Sequence, residues 1–260
     1  LKRLTGALQE KLHVSKYIPA KAKNVLDVGC ADGSITIELA RMFPKTHFLG
    51  IDLENGFIKR AVLQAKKQRI KNVSFEKIYL RDLLARPRRY DAITFISILH
   101  EFYTYGEGIS SVLKGLADAH ELLKVDGEIV IRDMILYEYT KHTGFRVQSI
   151  FKKLSSKKDK QKYIKDFERY FGSLENLYNL NHFLLKYFYT ENWDRECQEN
   201  YVPVTFEQYE QLFQFLDMDL QFKHSYLMPF LRDKWRKDFG LTENELEGLR
   251  STSFIVAKKQ

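Results

Sequence analysis

Between residues 24 and 133 short apolar runs alternate with amphipathic ones, and this alternation narrows the possible folds more than any other feature. NVLDVG, THFLGID, NVSFEKI and YDAITFISIL read as strands; SITIELARMF and GFIKRAVLQAKKQR read as the intervening helices. GISSVLKGLADAHELL is amphipathic, with Ile109, Val112, Leu113, Leu116, Leu122 and Leu123 on one side. A turn at Asp126 and Gly127 then leads into a fifth strand, EIVIRDM. Such repetition implies a parallel sheet covered on both faces, wound right-handed, with ligands outside the carboxyl ends of its strands.

The pattern breaks at 137. Residues 137–203 lack strand alternation and read as an inserted helical cap, rich in Leu, Phe and Tyr over SLENLYNLNHFLLKYFYTENW. Strand and helix signals resume at 205, where Thr205 and Gln208 suit a capping box for a helix burying Phe206, Tyr209, Leu212, Phe213 and Leu216. LQFKHSYLMP and STSFIVAKK supply two more strands, with a polar excursion bearing Trp235 over 230–250 between them. The expected fold is therefore α/β: a doubly wound, mostly parallel seven-stranded sheet with the cap inserted between strands 5 and 6. Residues 1–136 and 204–260 form the core. A lead-in helix with Leu4, Leu8 and Leu12 precedes it, stopped near Pro19.

Composition excludes several classes. At 260 residues and 44% hydrophobic content the chain can bury a substantial core, and no apolar run approaches a membrane span. The start LKRLTGALQE lacks an apolar secretory segment, so the cytoplasm is the expected compartment. Cys30 and Cys197 are expected as reduced thiols, and no metal site is expected. The net charge of +8 is local: residues 141–170 hold ten Lys or Arg against three Asp or Glu. That run reads either as solvated helix faces or as a surface for phosphates.

The turn after the first strand reads G-C-A-D-G-S, with Ala31 and Ser34 where a dinucleotide fingerprint wants its second and third glycines. Diphosphate binding is disfavoured, and a nucleoside ligand with an amino-acid tail remains. Asp52, ending the second strand, is placed to accept from ribose hydroxyls. DVGCADG, then GID, RDL, YDAITFISILHEF and ELLKVDGEIVIRD together resemble the class I S-adenosylmethionine-dependent methyltransferases, whose fold is Rossmann-like. The resemblance covers roughly residues 20 to 135 by motif and the last 55 or so by topology. It implies S-adenosyl-L-methionine as cofactor and S-adenosyl-L-homocysteine as product. It further implies that Asp27, Gly29, Cys30 and Gly33 shape the methionine pocket, that Asp52 binds the ribose and that Leu53 packs on adenine. Asp82 accepts from the adenine amino group with Leu83 beside it, and Ile96 and Ser97 line the sulfonium side. Ala31 departs from the family, narrowing the loop by a methyl group.

Methyl transfer from a sulfonium needs a nucleophile held in line and its proton removed. His100, in SILHEFY after the fourth strand, is the candidate base, with Glu101 to orient it or bind an amine. His100, Glu101 and Phe102 resemble a trio in plant small-molecule O-methyltransferases; the other reading is a packed structural histidine. There is no Asn or Asp followed by Pro-Pro-Tyr or Pro-Pro-Phe for exocyclic-amine methylation, and no cysteine placed to attack a pyrimidine. Phe183, Tyr187, Phe188, Tyr189, Trp193 and Tyr201 either stack a planar acceptor or form the cap's core. Arg232, Lys234, Arg236 and Lys237 around Trp235 suggest a second phosphate-facing cluster. Three functions remain: an O- or N-methyltransferase of a small molecule, which the HEF trio favours; an RNA-directed methyltransferase using residues 141–170; and a non-catalytic S-adenosylmethionine-binding module. Nothing in the sequence sets an oligomeric state.

Overall fold

Five segments, each built around apolar residues, form a sheet with both faces covered. In the computed structural model, which describes residues 8–134 and 145–260, they are β1 (Asn24–Val28), β2 (His47–Asp52), β3 (Val73–Lys77), β4 (Tyr90–Ile96) and β5 (Leu123–Asp133). With β6 (Met218–Tyr226) and β7 (Thr252–Lys259) they form one seven-stranded sheet in the order β3-β2-β1-β4-β5-β7-β6. The first five are mutually parallel, and β7 runs antiparallel to both β5 and β6. This is the Rossmann-like doubly wound architecture the sequence implied. β5 starts earlier than its apolar pattern suggests: Leu123 already pairs with Tyr90, and Asp126, at φ 63°, sits in the irregular stretch that follows.

The helices are α1 (Ser34–Met42), α2 (Asn55–Lys67), α3 (Leu99–Tyr105), α4 (Ile109–Leu122), α5 (Phe145–Ser155), α6 (Gln161–Phe171), α7 (Leu177–Lys186), α8 (Trp193–Glu196), α9 (Phe206–Phe215), α10 (Pro229–Phe239) and α11 (Glu243–Leu246). On one face of the sheet, Leu26, Phe95, Ile129 and Ile131 pack with Val112, Leu116 and Ala119 of α4 and Phe206 and Phe213 of α9. On the other, Val25, Phe48, Val130 and Val256 meet Leu39 and Ala40 of α1 and Val14 and Ile18 of the N-terminal segment. Each fully buried large side chain contributes roughly 1.5–3 kcal/mol. The expected capping box is present: Thr205 accepts from the Gln208 backbone while the Gln208 side chain accepts from Thr205 N–H. Of the lead-in segment, residues 8–11 are helical and Leu12–Tyr17 forms a 3-10 turn; Leu4 lies outside the described residues.

A second apolar cluster lies beyond the sheet. It joins Val147, Ile150, Phe167, Leu180, Phe183 and Trp193 to Leu231, Trp235, Phe239 and Leu249. Residues 230–250 are thus no polar excursion: Leu231, Trp235 and Phe239 recur every four residues along α10 and face inward, with charged residues filling the gaps between them. Trp235 is wholly buried. Most of the basic cluster around it is engaged in ion pairs: Arg232 and Arg236 both pair with Glu243, and Lys234 pairs with Asp238 at 2.6 Å. The Asn181 side chain ties the two halves together, donating to Arg250 O at 2.9 Å and accepting from Arg250 N–H at 2.8 Å. Among the described residues, no helix is long and apolar enough to cross a membrane.

Candidate active site

β1 is flanked by β2 on one side and β4 on the other, so the strand order reverses there and leaves a crevice at the carboxyl ends. The turn leaving β1 is built for close approach. Gly29 (φ 70°) and Gly33 (φ 75°) adopt left-handed conformations. A Cβ at Gly29 would strike the Ile98 side chain, and one at Gly33 would lie 2.7 Å from Ala61 Cβ and Phe75 Cζ. Gly29 and Cys30 N–H both donate to Ile51 O, at 2.9 and 3.0 Å. Ala31, the departure from the family, also takes a positive φ of 47°. Its N–H donates to Asp52 Oδ2 at 2.9 Å, while Asp52 Oδ1 accepts from Glu54 N–H. The carboxylate ending β2 therefore holds the loop after β1. The cap of α2 is Glu54, which accepts from Gly56 and Phe57 N–H.

The remaining nucleoside-site residues are divided. Leu53 is 50% exposed beside Asp52, an apolar side chain left open at the crevice, and Asp82 is exposed on the 3-10 turn Leu80–Ala85. The Leu83 side chain is buried in the sheet core, and that of Cys30 lies among Ile37, Ile58 and Phe75. Asp27 is buried, and its two oxygens accept from Thr36 Oγ1 (2.6 Å) and Thr94 Oγ1 (2.7 Å). Burial raises its pKa. In this arrangement Asp27 locks β1 to α1 and β4. Ile96 is buried, and Ser97 follows it at φ 57°.

His100 begins α3 with its ring buried. Its Nδ1 lies 2.8 Å from Asp133 Oδ1, and its backbone N–H donates to Asp133 Oδ2 at 3.2 Å. The sequence signal for this partner was the adjacency of β4 and β5: Ile96 is in register with Arg132, which puts position 133 beside the residues leaving β4. Burial opposes the charged imidazolium, but the Asp133 carboxylate outweighs it and raises the His100 pKa; Asp133 is lowered in return. Among the described residues nothing hydrogen-bonds to His100 Nε2, and the Tyr201 ring stands edge-on to the imidazole at 5.7 Å. Glu101 is half-buried, and burial raises its pKa.

The cap closes over this corner. Thr104 Oγ1 accepts from Asn200 N–H at 2.9 Å, and Tyr105 donates to Glu199 at 2.7 Å. Arg195 pairs with Glu199, not with Glu196, which is buried. Of the six cap aromatics, Phe183, Trp193 and Tyr201 are core, Tyr187 and Phe188 are partly buried, and Tyr189 alone remains 46% exposed. The sequence did not single out Lys186: wholly buried, it donates to the Glu196 and Glu199 carbonyls beneath the Tyr201 ring, and burial lowers its pKa to about 8. Nor did it foresee how deeply Arg132 is buried. Among the described residues its Nε–H finds no acceptor.

A glycine turn tied to a carboxylate, at the switch point of a seven-stranded sheet in this order, is the architecture of the class I methyltransferase fold. The chain belongs to the methyltransferase-domain family, whose model matches residues 19–200. Among curated relatives it is 28% identical over 114 residues to a malonyl-[acyl-carrier protein] O-methyltransferase from Bacillus cereus, covering 43% of this chain and 38% of that one. It is 39% identical over 51 residues to a tRNA (guanine-N(7)-)-methyltransferase from Christiangramia forsetii, covering 20% and 23%. The matches span less than two fifths of the length of such relatives. A solved structure with the same fold is magnesium protoporphyrin IX methyltransferase from Synechocystis PCC 6803 with S-adenosylmethionine bound. Its TM-score is 0.54 at 10% identity, over 98% of this chain and 81% of that one.

Proposed function

We propose that the chain transfers a methyl group from S-adenosylmethionine to an oxygen or nitrogen of a small-molecule acceptor, with His100 as the base that takes the acceptor's proton. The observation that carries this reading is the His100–Asp133 pair, 2.8 Å apart, with the opposite ring nitrogen unengaged by any described residue. Asp133 fixes the tautomer that leaves Nε2 able to accept, and it stabilises the imidazolium that forms. When bound, S-adenosylmethionine supplies a methyl group already activated by its sulfonium.

The cradle suits that cofactor. Gly29 and Gly33 let the turn take its left-handed course tight against Ile98, Ala61 and Phe75, Asp52 presents a carboxylate for the ribose hydroxyls, and the exposed Leu53 offers a surface for adenine. Ile96 and Ser97 border the sulfonium side, and the exposed Asp82 borders the adenine, with Leu83 anchoring its turn in the core. Calorimetry with S-adenosylhomocysteine, followed by single-turnover transfer in wild type and His100→Ala, tests the reading. Absence of homocysteine-adduct binding by folded protein would defeat the cofactor assignment, and intact transfer by the variant would defeat the base.

The second reading is an RNA acceptor. Lys152, Lys158, Lys162, Lys165 and Arg169 are exposed on the basic segment, which supports it. Against it, Arg146 pairs with Glu247 and Lys153 with Glu245, and α6 turns Ile164 and Phe167 inward as an ordinary amphipathic helix does.

A further inference from the structure

Arg132, the penultimate residue of β5, carries its positive charge out of water without an ion pair. It is 6% exposed, and among the described residues no carboxylate lies within ion-pairing distance. Nη1 donates to Ser97 Oγ at 2.7 Å, Nη2 makes long contacts to Thr252 Oγ1 (3.3 Å) and Met228 Sδ (3.8 Å), and Nε–H has no acceptor. Asp133 points to the opposite face of the sheet and is taken by His100. Glu10, which also acts on Arg132, lies 3.7 Å from His13 instead. Lys11 adds to the positive field. The other deeply buried cation is satisfied, since Lys186 donates to two carbonyls beneath a ring.

The position identifies what the charge is for. Ser97 follows β4 directly and borders the sulfonium side of the crevice, and His100 lies three residues on. β5 stands two strands from the glycine turn after β1, roughly 10 Å across the sheet. The guanidinium, donating to Ser97 Oγ, therefore stands beside the sulfonium side of the crevice and two strands from the glycine turn. Its Nε and Nη2 hydrogens form the side-on edge that matches a carboxylate with two parallel bonds. That edge is met only by an absence, a long hydroxyl contact and a flexible thioether able to give way. The Tyr189 phenol, on a residue 46% exposed, shares the same field.

We propose that Arg132 is an acceptor-recognition residue that holds a carboxylate of the methyl acceptor, so that the acceptors are small carboxylic acids. This rests on the methyltransferase reading above.

The test uses the full chain saturated with S-adenosylhomocysteine. Malonate, benzoate and 3-phenylpropionate, each beside its uncharged amide, are titrated by calorimetry. At least one carboxylate should bind the wild type about tenfold or more tighter than its amide. Arg132→Gln should lose that preference while holding S-adenosylhomocysteine within about threefold of wild type. Arg132→Lys keeps the charge but not the fork and should also weaken carboxylate binding, which covers the case in which the glutamine variant misfolds. The proposal is overturned if no carboxylate binds the wild-type complex, if both variants bind carboxylate as well as wild type, or if either weakens S-adenosylhomocysteine about tenfold, which would assign the guanidinium to the donor. Failure of the wild type to bind S-adenosylhomocysteine at all overturns the underlying reading as well.

Discussion

Asp133 holds His100 twice, through the ring Nδ1 at 2.8 Å and the backbone N–H at 3.2 Å, so a single carboxylate fixes both the position and the tautomer of the imidazole. Removing the base should be costly. His100→Ala is expected to slow single-turnover transfer about 10²–10⁴-fold with S-adenosylhomocysteine affinity unchanged. Asp133→Asn should slow it less, because the imidazole remains. Equal rates in His100→Ala and wild type would reduce the residue to packing.

The same pair sets a pH dependence. Burial alone would lower the His100 pKa, but Asp133 raises it above the ordinary histidine value. A base works in its neutral form, so the single-turnover rate should rise with pH through that elevated value, and the limb should move to lower pH in Asp133→Asn. For stability the sign is opposite. The pair's contribution is complete below the unfolded histidine pKa and is lost as pH climbs through the folded one. The lowered Asp133 pKa adds stability above the ordinary aspartate range that disappears as pH falls through its folded value. Urea denaturation from about pH 2 to about pH 9 in wild type and His100→Ala checks both, over a span that brackets the ordinary aspartate and histidine ranges.

Asp52→Ala should cost the protein twice. Two backbone donors, at Ala31 and Glu54, lose their acceptor, which should lower stability by about 1 kcal/mol. Loss of the ribose contact should weaken S-adenosylhomocysteine about tenfold or more, measured by calorimetry on variant shown to be folded.

Gly29→Ala asks an L side chain to hold φ 70° while pressing on Ile98, whose Cδ1 would lie 2.7 Å from the new carbon. We expect a loss of about 1–3 kcal/mol in thermal unfolding and abolished S-adenosylhomocysteine binding. The double variant Gly29→Ala with Ile98→Ala should recover part of the stability, because it removes the clash but not the strained backbone.

The RNA reading predicts a steep salt dependence. If phosphates are neutralised by Lys158, Lys162 and Lys165, the protein's affinity for RNA should fall about 20–40-fold between 50 and 200 mM salt, and their replacement by Gln should flatten the slope. Weak binding that ignores salt would remove RNA from consideration.

The sheet was legible because its strands announce themselves twice, as apolar runs and as punctuation by Gly29, Gly33 and Asp52. The cradle followed from the same residues. What escaped was set by neighbours far away in the chain. The α10 face was hidden by the density of charge between Leu231, Trp235 and Phe239, much of which is taken up by pairs such as Arg236 with Glu243. The partner of His100 lies 33 residues on, visible only once β4 and β5 are known to be adjacent. The unpaired state of Arg132 is a property of everything around it, and no local pattern carries it.

The apolar cluster that unites Val147 with Leu249 has a consequence for how the molecule is made. As the chain leaves a ribosome, β1 to β5 can begin to associate, but the greasy side of the insertion finds nothing to close upon until Leu227 to Leu249 have emerged. Ordering of the corner where Asn200 and Glu199 meet Thr104 and Tyr105 must then be a late event. Truncation ahead of Leu227 should leave a sticky, chaperone-dependent fragment.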